Sequence, residues 1–123
     1  MNIGIDIVEH SRILQAVSRS GAGFVARVLI DEERQELGDV SENIHRFSGI
    51  WAAKEAAVKA LGSGFRDGIS FHDIQIQHSQ NGAPCYFFSG AFKRRFLQSG
   101  YRHSALSISH CQSHAVAVAV FTR

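Results

Sequence analysis

Proline is nearly missing from this sequence, with one residue, Pro84, in 123. That scarcity excludes a polyproline linker or a collagen-like fibre. Cysteine is scarce too. Cys85 and Cys111 are the only two, and they lie far apart. Their number and spacing argue against a zinc knuckle and against a disulfide scaffold, and fit a reducing, cytoplasmic compartment. No apolar run approaches the ~18 residues of a membrane span, so no membrane association is expected. The opening residues MNIGIDIVEH carry Asp6 and Glu9 and no Lys or Arg, unlike a secretory leader. The formal net charge of +2 is too slight to call for nucleic acid. Basic residues do gather locally, at Arg12, Arg19 and Arg27 and again at Lys93–Arg95. Such a surface suits an acidic protein or a phosphate-rich ligand. The length fits one domain, residues 1–123, with a modest core.

What the chain does have is clear periodicity. Asn2–Val8 alternates as a strand, with Ile3, Ile5 and Ile7 on one face and Gly4, Asp6 and Val8 on the other. Ser11 is placed to cap a helix that stops at Gly21, and Phe24–Leu29 forms a further short helix. Asp31 is expected to cap the next helix, which ends at Gly38; Glu32 and Glu33 read as first-turn residues that favour its dipole. Ile69–His78 reads as a strand joined through the Asn81-Gly82 turn to Cys85–Phe88. Ser89–Gln98 is helical. His103–His110 and Ala115–Phe121 form a last hairpin, whose second arm puts Val116, Val118 and Val120 opposite Ala115, Ala117 and Ala119. The alanine face invites close approach by an alanine-rich helix. Strand, helices, then antiparallel hairpins make an α+β fold.

That alanine-rich helix is the longest periodic segment, Ile44–Gly64. Ile44, Phe47, Trp51, Val58 and Leu61 form its apolar stripe, and Glu55 lies within it. A carboxylate there is either one half of a surface pair with Lys59, at the i,i+4 spacing, or a group facing a polar cleft or a metal. Gly62-Ser63-Gly64 closes the helix with residues that let backbone approach a ligand.

Several segments, in order, resemble one family. They are GIDIVE at Gly4–Glu9, RVL and the acidic helix start at Arg27–Glu33, WAAKEAAVKALGSG at Trp51–Gly64, ISFHDIQI at Ile69–Ile76, NGAP at Asn81–Pro84 and SISH at Ser107–His110. Together they are similar to the holo-acyl-carrier-protein synthases, the small stand-alone 4′-phosphopantetheinyl transferases. The resemblance implies the fold of that class, a small antiparallel sheet on a long helix, assembled as a homotrimer with active sites between subunits. It also implies the reaction. The phosphopantetheine arm of coenzyme A moves to a serine of an apo acyl carrier protein, 3′,5′-ADP leaves, Mg²⁺ is required, and the pathway served is fatty acid biosynthesis.

By the same resemblance Asp6 and Glu55 are the metal carboxylates, and Glu55 and Lys59 are catalytic, with Lys59 beside the phosphates. Arg46, Gly62, Ser63, Gly64, Ser109 and His110 border coenzyme A, and Arg12 and Arg27 meet the carrier protein. Glu55 and a metal-bound water both remain open as the proton acceptor. Two positions depart from the family pattern: Ile50-Trp51 stands where Arg-Phe is usual, and Cys111 follows SISH in place of Ser or Thr. Arg46, one turn before Ile50, is placed to compensate for the lost guanidinium. The alternative is a carrier-binding relative with weak activity, or one that serves a polyketide-type carrier.

Overall fold

A computed structural model describes all 123 residues. The chain runs β1 (Asn2–Glu9), α1 (His10–Ser20), α2 (Ala22–Val28), α3 (Asp31–Leu37), α4 (Ile44–Leu61), a single 3₁₀ turn (Phe71–Asp73), β2 (Ile74–His78), β3 (Pro84–Phe88), α5 (Gly90–Gln98), β4 (His103–His110) and β5 (His114–Thr122). The fold is α+β, with two antiparallel sheets. The larger has the order β1-β5-β4, and the smaller is the hairpin of β2 and β3.

α4 lies across the larger sheet because that face is built of small residues. Ala115, Ala117 and Ala119 of β5 are fully buried, as are Ala52, Ala53, Ala56 and Ala57 of α4. β1 comes closest at Gly4. A Cβ there would sit 2.0 Å from the Ala56 carbonyl oxygen and 2.5 Å from the Ala60 nitrogen. Only glycine lets strand and helix backbones meet this way. The register then sets Asp6 opposite Ala117, on the helix-facing side.

Two cores flank α4. Phe121 at the end of β5 is completely buried and packs edge-on to Tyr86, Phe88, Phe92 and Phe96. Burying a side chain of this size stabilises by roughly 1.5–3 kcal/mol. On the other flank Ile13, Phe24, Val28, Leu29, Leu37 and Phe47 hold α1–α3 against α4.

Local chemistry moves several expected boundaries. α1 starts at His10, and Ser11 lies inside its first turn with no capping bond. Ile30, not Asp31, precedes α3, and the orphan Ile30 N–H donates to the Glu33 carboxylate at 2.9 Å. The strand expected from Ile69 begins only at Ile74. Asp73 draws the preceding residues into a turn by accepting from the Ser70 N–H, and the same carboxylate accepts from Phe92 N–H in the first turn of α5. The β2–β3 connection is longer than a two-residue turn. Gly82 N–H donates to Ser79 O and Ser79 N–H to Ala83 O, with Gly82 alone at positive φ.

Candidate active site

Three expected residues meet where β1 crosses α4. Lys59 Nζ lies 2.9 Å from Asp6 Oδ1 and also donates to Ile5 O at 3.2 Å. The sequence spacing favours a Lys59–Glu55 pair along the helix; the close approach at Gly4 gives Lys59 to Asp6 instead. Glu55 is half-buried. Burial raises its carboxyl above the ordinary value of 4.5, the Asp6 charge pushes it the same way, and Lys59 partly opposes them. The site therefore holds two neighbouring carboxylates and one ammonium, an excess of one negative charge.

No group of three or more His, Cys, Asp or Glu side chains is arranged to hold a metal. Two carboxylates, however, suit Mg²⁺, which keeps most of its water and completes its shell with substrate phosphates. The donor set is all oxygen, and its unbalanced charge is what a hard cation relieves. Asp6 and Glu55 fit such an ion.

An adjacent residue was missed in the sequence reading. Lys54 is fully buried, and its Nζ donates to Val28 O (2.6 Å), Glu33 Oε1 (2.7 Å) and Phe71 O (3.2 Å). Glu33 stands in the first turn of α3, as expected, and does more than favour the dipole. It is buried, and its Oε2 accepts from Ile76 N–H at 2.9 Å. Burial lowers the Lys54 ammonium, and Glu33 counteracts this. The pair ties α3, the end of α2, the 3₁₀ turn and β2 to the residue just before Glu55. The signal was the lysine itself, which directly follows Ala52-Ala53 in the alanine-rich stretch of α4.

A second feature lies at the other end of α4, a cleft of about 190 Å³. Ile50, Ile76, Ile108 and Pro84 form its apolar floor, and His45, Arg46, His78 and His110 its polar wall. Arg46 and Ile50 thus share one cleft. His45 stacks on buried His10 at 4.0 Å between ring centroids and lies 5.6 Å from His110. Desolvation first, then repulsion by His10 and His110, lowers the His45 imidazole below its ordinary value.

The structure does not gather every expected contact here. Ser109 points to the opposite face of β4, beside Ile7 and Val116. Gly62, Ser63 and Gly64 terminate α4, roughly 25 Å along the helix from His45 at 1.5 Å per residue. Gly62 and Gly64 have positive φ, and Ser63 Oγ donates to Gly64 O at 2.9 Å. Arg12 and Arg27 are both exposed, and Arg27 lies over the Phe24 ring at 5.8 Å. Leu14, Arg19 and neighbouring polar residues form a shallow groove along α1.

Comparison with known proteins follows the same lines. The family model described as the 4′-phosphopantetheinyl transferase superfamily matches residues 2–119. A holo-[acyl-carrier-protein] synthase of Verminephrobacter eiseniae is 38% identical over 120 residues, 98% of this chain and 92% of that protein. The crystal structure of the Neisseria meningitidis holo-[acyl-carrier-protein] synthase superposes with a TM-score of 0.91 at 32% identity, covering 99% of this chain and 98% of that one. The Helicobacter pylori synthase, solved in complex with coenzyme A, superposes with a TM-score of 0.85 at 34% identity, covering 98% and 99%.

Proposed function

This chain belongs to the 4′-phosphopantetheinyl transferase superfamily, among its holo-acyl-carrier-protein synthases, and from that premise we propose the reaction its residues carry out. Coenzyme A and an apo acyl carrier protein are the substrates. The serine Oγ of the carrier attacks the phosphorus on the pantetheine side of the pyrophosphate. The bond from that phosphorus to the bridging oxygen breaks, and 3′,5′-ADP leaves with the electron pair. The observation that carries this reading is the juxtaposition of Asp6, Glu55 and Lys59 at the β1–α4 crossing.

Asp6 and Glu55 would hold Mg²⁺, which when bound neutralises pyrophosphate charge as a Lewis acid. Lys59 is more than half exposed and reaches out from Asp6. Its ammonium stabilises charge that develops on the leaving oxygen. The proton of the serine Oγ passes to Glu55 or to a water beside it. Arg46 and His110 line the cleft that takes the nucleotide, while Gly62-Ser63-Gly64 meets the cofactor at the far end of α4 and Ser109 flanks it from the open face of β4. Arg12 and Arg27, exposed on α1 and α2, face the acidic carrier.

The distance between the cleft and Gly62–Gly64 supports a site shared between neighbouring subunits of a homotrimer. So does the open face of the larger sheet, where Ile3, Ile5 and Ile7 are 59%, 57% and 65% exposed. We place the enzyme in the cytoplasm, serving fatty acid biosynthesis. The replacement of arginine by Ile50 in the cleft keeps a second reading, service to a polyketide-type carrier or weak transfer, open to the same experiment.

The test incubates the protein with apo carrier protein, coenzyme A and Mg²⁺ and weighs the carrier by mass spectrometry, with fatty-acid and polyketide carriers in parallel. A gain of one phosphopantetheine group is expected. No gain with any carrier refutes the transferase reading. Glu55→Gln is expected to lower the rate on the order of 10³-fold, the several kcal/mol of charge stabilisation a bound metal supplies.

A further inference from the structure

We infer that imidazoles, in place of a second guanidinium, recognise the nucleotide's phosphate in this chain: His45, His78 and His110 join Arg46 around the cleft, and nucleotide affinity falls as pH rises through neutrality. The inference rests on the reading that this cleft takes the nucleotide of coenzyme A.

The cleft holds one permanent cation, Arg46, and three imidazoles, His45, His78 and His110; imidazole is the side-chain type that exchanges its proton near neutrality. The position one turn after Arg46 is Ile50, which gives the floor apolar surface and no charge. Within this chain, a phosphate set against Arg46 draws its remaining positive partners from the imidazoles. The end of α4 is arranged to accept such an anion. Asn43 makes no side-chain capping bond and instead donates its Nδ2 to Asp39 O at 2.8 Å. The first turn contains no acidic residue and carries His45 and Arg46. Cations at a helix N-terminus oppose the dipole, and an anion between them and the free N–H groups removes the conflict.

The neighbouring charges set the direction. His45 faces His10 of α1 and His110 of β4, both imidazoles. His78 faces Glu36 of α3, with Nδ1 3.6 Å from its carboxylate. The Glu33 carboxylate borders the adjoining hollow and is already held by Lys54. His110 also borders the far depression that contains Cys111 and His114. Glu36 is the one acidic group near the wall without a buried partner, and it is more than half exposed. In the free protein His45 sits below its ordinary value because burial and the other two imidazoles disfavour its charge. A bound phosphate raises it. A group whose bound-state pKa is raised gives affinity that is full below the free value and is lost as pH rises through the bound value.

The probe is 3′,5′-ADP, titrated calorimetrically into the full-length protein at about pH 6, 7 and 8, across the range in which imidazole discharges. Affinity is expected to fall about tenfold over that range, the weight of one charge-assisted contact. His45→Gln and His78→Gln should each weaken binding at the acid end and match the parent protein at the basic end. Taking the ratio of variant to parent at each pH cancels the phosphate's own titration. Arg46→Gln should weaken binding equally throughout, and His45→Lys should restore tight binding at the basic end. His78 is exposed at the end of β2, so its variant remains informative if loss of the His10–His45 stack perturbs folding. Ratios that do not change with pH, with the parent still binding, overturn the inference and leave the nucleotide cleft standing. No binding of 3′,5′-ADP at any pH overturns the cleft assignment and the inference with it.

Discussion

Gly4 decides where Asp6 stands. Any side chain at this position would drive into the backbone of α4, so Gly4→Ala is expected to destabilise the fold by at least about 3 kcal/mol, the upper range for overpacking. A shift in the urea midpoint measures it, and an unchanged midpoint would mean that strand and helix are not in backbone contact. Lys54 gives a second expectation. Lys54→Met leaves the Glu33 carboxylate buried without its cation, at a cost of about 3–5 kcal/mol. That Asp6, Glu55 and Lys59 belong together was legible in the sequence because each sits in a short recognisable motif, and the fold does bring them to one crossing. The Lys54–Glu33 pair was not, since its halves are 21 residues apart and the acidic start of α3 already had a sufficient local explanation. His10 was hidden in the same way: its ring is placed by α4 and by Cys111 O, not by its own helix.

At the level of elements, α4 carries a conflict between stability and chemistry. The folded-state pKa of Glu55 lies above its unfolded value, so the fold binds this proton more tightly. Its contribution is stabilising at low pH and is lost as pH rises from the ordinary value of 4.5 through the raised one. In the absence of divalent cation, Glu55→Gln should therefore melt at a higher temperature than the parent at pH above that window, with the difference closing on acidification. A variant that melts lower at neutral pH would remove the proposed repulsion between Asp6 and Glu55. The helices and both hairpins could be read from periodicity and glycine punctuation. The start of β2 could not, because Asp73 spends its carboxylate on a turn and on α5, contacts that alternation does not encode.

For the whole molecule, the larger sheet presents two unlike faces. One is largely alanine and glycine under α4; the other carries exposed isoleucines of β1, half-buried valines of β5 and Ser107 and Ser109 of β4. The sequence showed this alternation, but not that β1 pairs with β5, which brings Ile3, Ile5 and Ile7 alongside Val120, Val118 and Val116 into a single apolar surface. The trimer proposed above predicts that Ile5→Arg sediments as a monomer in analytical ultracentrifugation and that the proposed transfer falls with it, while the circular dichroism of the chain stays unchanged. A trimer that persists in this variant would place the subunit contact elsewhere.

Trp51 is the only tryptophan in the chain, and its ring lies between Phe24 of α2 and Phe71 of the 3₁₀ turn, at 5.5 and 5.1 Å between centroids. The position that departs from the usual phenylalanine thus supplies a built-in optical probe. Its emission reports whether the segment bearing Arg27 stays seated on α4, so the carrier docking proposed for that segment can be tested by intrinsic fluorescence without a label.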